Sequence, residues 1–285
     1  MKTFKTKSTA LLLAVLMLLS SVVTGTFAFT ASAEEEGLAE IPEAALYFEG
    51  GTAPYKVDGV AQEGTFLEMV AEANEHPDCN LVLKLNKDVE LTEKVVFIAR
   101  RLSTIDGQGH TIYMSKSLLE SQRQSGDAKN YFFGFNVITA GDFYFTFKNV
   151  NLNGQPKDWD GKAETATYFG DSSANNHGSA IYLSKYAKLT MENCRMENFY
   201  TYTKASCITL AETNPCGTTA GTRGIWLIDT VMTNNHHLGN KNGGTDACAI
   251  RGRSDQTGTE IHVSGNTYID GNYTKGNPWG LWARS

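Results

Sequence analysis

A five-residue pattern recurs along the second half of the chain and constrains the fold more than any other feature. Phe145-Thr-Phe147-Lys-Asn149 returns as Leu189-Thr-Met191-Glu-Asn193, Ile225-Trp-Leu227-Ile-Asp229 and Ile261-His-Val263-Ser-Gly265, at spacings of 44, 36 and 36 residues. Three residues after each comes a large apolar or aromatic residue: Leu152, Met196, Met232 and Tyr268. Two further on stand Gly154, Asn198, Asn234 and Asp270. A second column repeats as Ser179-Ala-Ile181-Tyr-Leu183, Ser206-Cys-Ile208-Thr-Leu210 and Cys248-Ala-Ile250-Arg-Gly252. Alternating apolar residues suit half-buried strands. Asn, Asp and Gly suit the corners, because they tolerate the left-handed conformation and bond nearby backbone. Units of this length cannot bury an apolar face alone and must stack on one another. A β-sandwich also has short strands and turn signals. It does not place the same residue types at the same position four times, so the pattern predicts an all-β stack of coils, a solenoid.

Upstream, helical periodicity is convincing once. Phe66, Met69, Val70 and Ala73 share a face, and Thr65 with Glu68 has the spacing of a capping box, so an amphipathic helix is expected over about 65–76. Strand-like segments follow at Leu81–Leu91, Val95–Ile98 and Leu102–Ile112, with Asp106-Gly107 and Gln108-Gly109 as turn signals. The first 33 residues read as a secretory signal peptide. Lys2, Lys5 and Lys7 precede an apolar run from Ala10 to Leu19, and Ala31-Ser-Ala33 forms a small-residue cleavage site. Residues 34–64 are then an N-terminal extension, and 65–285 the β domain. No later stretch is apolar enough to span a membrane, and the expected location is secreted, extracellular or associated with a cell surface. Cleavage removes three lysines and no acid, moving the formal charge from −6 to −9. That sign disfavours nucleic acid, which is held by clustered Lys and Arg. A hydrophobic share of 41 % excludes a disordered chain.

The order of a helix, leucine-rich strands, Leu102-Ser-Thr-Ile-Asp-Gly-Gln-Gly-His-Thr-Ile112 and then coils resembles the right-handed parallel β-helix proteins of the pectate-lyase-like fold. Gly178-Ser-Ala-Ile181 is similar to the Gly-Gly-Ala-Ile repeat of polymorphic outer-membrane and adhesin-type β-helices, and Met232-Thr-Asn-Asn235 to their Phe-x-x-Asn repeat. The resemblance covers roughly residues 65–275. It implies that the helix caps the N-terminal end of the solenoid and that a polysaccharide groove runs along one strand column.

Long polar insertions flank the strands carrying Ile181, Ile208 and Ile250. They are Pro156 to His177, Ala211 to Arg223, Asn235 to Asp246 and Gly252 to Gly258. Insertions on a solenoid mark its binding face. Alternation turns Tyr182, Thr209 and Arg251 outward, one above another, and nearby loops add Trp159, Tyr168, Arg223 and His236 as candidate ligand-binding residues. Polysaccharide hydrolysis needs two placed carboxylates, while a lyase needs a base such as Arg or Lys. Arg251 with Asp246 or Asp255 is the candidate set. Gly244-Thr-Asp246-Ala-Cys-Ala-Ile250 is similar to the Gly-x-Asp-Asp-Cys-Ile segment of polygalacturonases, but Ala247 replaces the second Asp, and that family's His-Gly and Arg-x-Lys motifs are missing. Asp158-Trp-Asp160-Gly161 shares only the opening of an oxygen-rich calcium loop, so no metal or other cofactor is assigned, calcium being the one candidate.

Five cysteines leave at least one free thiol, and Cys194, at the coil position of Val150 and Thr230, reads as core. Spacing leaves open a Cys207–Cys216 bridge. Asn277-Pro-Trp-Gly-Leu-Trp282 places two tryptophans to cover the last coil, unless the natural chain continues. The expected function is a secreted, non-enzymatic, adhesin-like protein contacting polysaccharide, surface glycan or protein. The alternatives are a lyase or glycoside hydrolase on an acidic plant-type polysaccharide, and a structural spacer.

Overall fold

The computed structural model describes residues 40–76, 79–97, 102–124, 129–135, 143–170, 177–183, 187–201, 206–210, 224–237, 249–252, 260–274 and 281–283. They are predominantly β, in several mostly parallel sheets, with two helices. The first sheet has eight strands in the order Glu260–Ser264, Gly224–Ile228, Ala187–Glu192, Phe143–Lys148, Leu102–Asp106, Leu81–Leu85, Ala44–Phe48 and Glu63–Gly64. The second has six, from Tyr268–Ile269 through Val231–Thr233, Arg195–Glu197, Asn151–Asn153 and Thr111–Met114 to Val89–Leu91. The third also has six, from Leu281–Ala283 through Ile250–Gly252, Ser206–Leu210, His177–Leu183 and Lys129–Phe135 to Val95–Phe97. A fourth, of three short strands, joins Tyr200–Thr201, His236–His237 and Tyr273–Thr274. From Leu81 onward the chain passes repeatedly through the first, second and third sheets in that order, and each strand pairs in parallel with its successor one repeat later. The repeat therefore begins two passes before Phe143.

Alternation along each strand decides what is inside. Leu81, Leu83 and Leu85, then Phe143, Phe145 and Phe147, then Leu189 and Met191, then Ile225 and Leu227 are buried in register. Phe97, on the third sheet, sits where the inner faces of the first and third sheets meet. Its ring lies 4.6 Å from Phe145, 4.8 Å from Phe135, 6.3 Å from Phe133 and 6.5 Å from Phe147. Such ring pairs each add about 0.5–1.5 kcal/mol beyond area burial. On the outer face Lys84, Asp106, Lys148 and Glu192 fall in one rank with alternating sign, and Lys148 reaches Glu192 at 3.3 Å. Both partners are largely exposed, so that contact is worth little.

The corners explain the tightness of the turns. Asn149, Asn193, Asp229 and Gly265 end the first-sheet strands at φ of 50°, 50°, 49° and 63°. Asn193 donates through Nδ2 to Asn149 Oδ1 at 2.8 Å, and Asn149 to Asp106 Oδ1 at 3.1 Å, so the side chains form a ladder of their own. Just past these corners Cys194, Thr230 and Thr267 play one role. Each directs its Sγ or Oγ1 at the carbonyl of the first-sheet strand one repeat earlier: Phe147 at 3.2 Å, Met191 at 2.9 Å and Leu227 at 3.3 Å.

Three departures from the sequence reading have physical causes. The last repeat carries one extra residue at its first corner, Gly265-Asn266 standing where Asp229 stands before, so Ile269, not Tyr268, is the successor of Met232. The left-handed residue of the next corner is accordingly Gly271, φ 65°, not Asp270. Second, Ala44–Phe48, within the region read as an extension, pairs antiparallel with Leu81–Leu85 and buries Ala44, Ala45 and Leu46. Third, a second helix, α2 (Lys116–Gln124), is inserted between the second and third sheets. Ser115 accepts the Leu118 amide at 3.1 Å through its hydroxyl, and Leu118, Leu119 and Gln122 are buried. Cys207 is buried, and Cys216, the other half of the bridge that spacing leaves open, lies outside the described residues. The first helix, α1 (Phe66–Glu75), matches expectation: Thr65 and Glu68 make the reciprocal capping box, and Phe66, Met69, Val70 and Ala73 are buried. Among the described residues no helix is long and apolar enough to cross a membrane.

Phe97→Ala removes the ring on which these contacts converge. It should lower unfolding free energy by about 3–5 kcal/mol, measured as the shift in chemical denaturation midpoint at constant slope.

Candidate functional site

The column anticipated along the third sheet exists in register. Tyr182 pairs with Thr209, Thr209 with Arg251, and Arg251 with Trp282. Its surroundings differ from an open groove. The Tyr182 ring stacks on Tyr131 at 5.8 Å and 21°, and Lys94 Nζ lies 5.4 Å from the Tyr131 centroid. The Tyr131 ring lies against Gly134, the residue paired with Tyr182, and a side chain at Gly134 would overlap it. Thr209, which alternation would turn to solvent, is only 3 % exposed, and its Oγ1 takes a 2.6 Å hydrogen bond from Ser179. That rung is closed. Arg251 is described as backbone alone. Arg223, Asp246 and Asp255 lie outside the described residues.

Three other predicted residues, far apart in sequence, converge on a residue that the sequence reading did not single out. Trp159, Tyr168 and His236 all pack on Tyr200. His236 stacks on the Tyr200 ring with centroids 4.3 Å apart and planes 6° apart. Trp159 and Tyr168 meet it edge-on, at 5.8 Å and 5.2 Å. Strand pairing explains the stack: Tyr200 pairs with His236 and His236 with Tyr273, while the Phe169–Thr201 bridge brings Tyr168 level with Tyr200. The result is a column of Tyr168, Tyr200, His236 and Tyr273 on successive repeats, with Trp159 beside it. Tyr200, at its centre, is 1 % exposed, whereas Tyr273, at its end, is 50 % exposed. Tyr200, His236 and Tyr273 each stand two residues past a left-handed corner residue, Asn198, Asn234 and Gly271. That is the signal by which the column can be read from sequence.

The polar groups around the column fix ring orientation. Asn234, itself at φ 51°, places its Oδ1 2.8 Å from His236 Nε2. Trp159 Nε1 donates to the Lys162 carbonyl at 3.2 Å and to Thr165 Oγ1 at 3.1 Å. Asp160 holds this turn together, accepting from the Thr165 hydroxyl and from the Lys162 amide, and those bonds keep its carboxyl below the usual range. The Asp160 carboxylate of the calcium-like tetrad is thus engaged by its own loop, and among the described residues no group of three His, Cys, Asp or Glu side chains gathers to hold a metal. Burial pushes the Tyr200 phenol up and the His236 imidazole down.

A polar depression of about 570 Å³ lies at the first corner, lined by Asp106, Gln108, Gly109, Asn149, Asn151 and Asn193. Asp106 is the one carboxylate in that lining, and it already accepts from Asn149 and from the Gln108 amide at 3.0 Å. Two-carboxylate hydrolysis is not assembled there. Comparison with protein-family models, with curated proteins and with solved structures returns no match.

Two solution tests follow from this geometry. Burial raises the Cys194 thiol to about 12, so it should resist alkylation in the folded protein at pH 8 and react fully once denatured, read by mass spectrometry. Burial disfavours the charged form of His236, so the folded state binds its proton less readily than the unfolded chain. The stability associated with it is present above the ordinary imidazole pKa, about 6.5, and is lost as the pH falls below it. The melting temperature of His236→Gln should accordingly fall less than that of the parent below that pH.

Proposed function

We propose that the chain is a right-handed parallel β-helix, capped at its N-terminal end by α1, and that it is a secreted, non-enzymatic surface protein that holds glycan chains against its aromatic column. The cyclic order of parallel strands supports the architecture, since parallel crossovers are right-handed for steric reasons. The apolar face of α1 and the antiparallel Ala44–Phe48 strand lie against Leu81–Leu85, which fits a cap over the first coil.

One observation carries the binding reading: Tyr168, Tyr200, His236 and Tyr273 repeat in register beside Trp159. Ring faces and edges offer apolar area to the C–H faces of sugars, while ring OH and NH groups bond hydroxyls. Half-buried Trp159 and Tyr168 and exposed Tyr273 are the contact surface, and Tyr200 is the pillar that sets their spacing. A net charge of −6, or −9 once residues 1–33 with their three lysines are cleaved, favours a neutral glycan over a polyanion.

Glycan arrays followed by calorimetry test this reading. Trp159→Ala and Tyr273→Ala should each weaken binding about tenfold or more. Absence of any glycan binding, or affinity unchanged in both variants, refutes it. Steady release of products from pectin, abolished by Arg251→Ala or Asp246→Ala, would establish the lyase or hydrolase reading instead.

A further inference from the structure

The polar depression at the first corner is lined by acceptors. Its residues come from three successive repeats: Asp106, Gln108 and Gly109 from one, Asn149 and Asn151 from the next, and Asn193 from the third. The backbone N–H groups of the five residues after Asp106 are all engaged. Gln108 donates to Asp106 Oδ1 at 3.0 Å, Gly109 to the Asn149 carbonyl at 2.7 Å, Asn149 to Glu192 at 3.0 Å, Asn151 to His110 at 3.1 Å and Asn193 to Ile228 at 2.9 Å. The side-chain nitrogens are turned to the protein as well. Gln108 Nε2 donates to the Leu85 carbonyl at 2.6 Å and Asn151 Nδ2 to the Gly109 carbonyl at 3.4 Å, while Asn193 donates to Asn149 and Asn149 to Asp106 Oδ1. An amide anchored through its nitrogen presents its oxygen on the other side. Gln108 Oε1, Asn151 Oδ1, Asn193 Oδ1 and Asp106 Oδ2 are thus four oxygens with no hydrogen-bond donor among the described residues.

The charge of Asp106 is also unmatched. Lys84 and Lys148 stand beside it in register on the two neighbouring strands, yet each leans away. Lys84 Nζ lies 4.2 Å from the Tyr47 ring centroid, and Lys148 bonds Glu192 at 3.3 Å. The one carboxylate of the lining therefore has no ion-pair partner among the described residues.

We propose that this depression binds a protonated amino sugar within a glycan chain, its ammonium on Asp106 Oδ2 and its hydroxyls on the three amide oxygens. Such a lining repels an anion and calls for donors. An ammonium brings three N–H donors and the opposite charge. Three ranks about 4.8 Å apart spread the acceptors over roughly 10 Å. That is further than one metal ion or one guanidinium fork reaches, and a volume of about 570 Å³ suits a small organic ligand. A saccharide carries hydroxyl donors on both sides of its ammonium across that length. A lysine side chain carries its ammonium on an apolar stem and leaves three oxygens unmatched. The site shares no residue with the Tyr200 column and does not depend on the role of that column.

Calorimetry with the glucosamine tetramer tests the proposal, at about pH 6 so that the sugar amines are protonated. A dissociation constant on the order of 0.1–1 mM is expected, with shifts in the side-chain amide NMR signals of Gln108, Asn149, Asn151 and Asn193. The N-acetylated tetramer and cellotetraose, which lack the charge, should bind at least tenfold more weakly. Asp106→Asn keeps the Oδ1 acceptor of the corner and exchanges the free oxygen for a donor. It should weaken binding at least tenfold at an unaltered melting temperature. If that variant is poorly folded, Asn193→Gly decides the matter: glycine accepts the left-handed corner, one oxygen is lost, and binding should weaken about threefold. The proposal is overturned by a glucosamine tetramer that does not bind, by uncharged tetramers that bind equally well, or by affinity unchanged in folded Asp106→Asn or in Asn193→Gly. Trilysine binding as tightly at the same amides would assign the site to a basic protein segment instead, and calcium chloride doing so would assign it to a metal ion; either result also overturns it.

Discussion

Register is the constraint on which the structure depends. Side chains alternate across each strand, so a slip of one residue between neighbouring repeats would turn a column of Phe, Leu and Met outward and a column of Thr, Lys and Glu inward. The corners prevent it. Asn149, Asn193 and Asp229 take a left-handed conformation that few residues accept at low cost, and two of them bond their amides to the corner before. Cys194, Thr230 and Thr267 then each reach back one repeat to a fixed strand-end carbonyl. Backbone pairing holds neighbours together, and these side chains specify which residue meets which.

Once register is fixed, the interior and the candidate site follow from the same geometry. Inward, it builds the phenylalanine cluster around Phe97. Outward, it converts single aromatic residues in successive repeats into the ring column at Tyr200. The column is therefore a property of the stack. Its members are not neighbours in sequence, and no loop has to fold around a ligand to bring them together. The polar depression at the first corner shows the opposite case, with its amide nitrogens and one oxygen of its carboxylate committed to the corner itself.

Much of this was legible in the sequence, for identifiable reasons. The Phe147, Met191 and Leu227 columns were readable because strand alternation and corner residues repeat together, and α1 was readable because Thr65, Glu68 and its apolar face all agree. The last repeat was misaligned because its extra residue lies inside a corner, where hydrophobic pattern carries no information. Helix α2 was missed because its buried side is short, Leu118, Leu119 and Gln122, although Ser115 marks its start. Trp159, Tyr168 and His236 were found singly as aromatic and polar residues in loop-flanked positions. Tyr200 escaped notice because its role comes only from strand pairing. Thr209 was expected to be open because alternation gives a direction but not what lies above it.

The extra residue at Gly265-Asn266 also bears on how such a chain can change over time. The repeat there is longer, yet Thr267 still finds the Leu227 carbonyl and Ile269 still finds Met232. The fold counts hydrogen bonds, not residues, so length can vary at a corner without disturbing the strands on either side. Lineages could lengthen or shorten the segments between strands and present new surfaces while inheriting an unaltered interior. Recognition and stability would then evolve on nearly separate parts of the same chain.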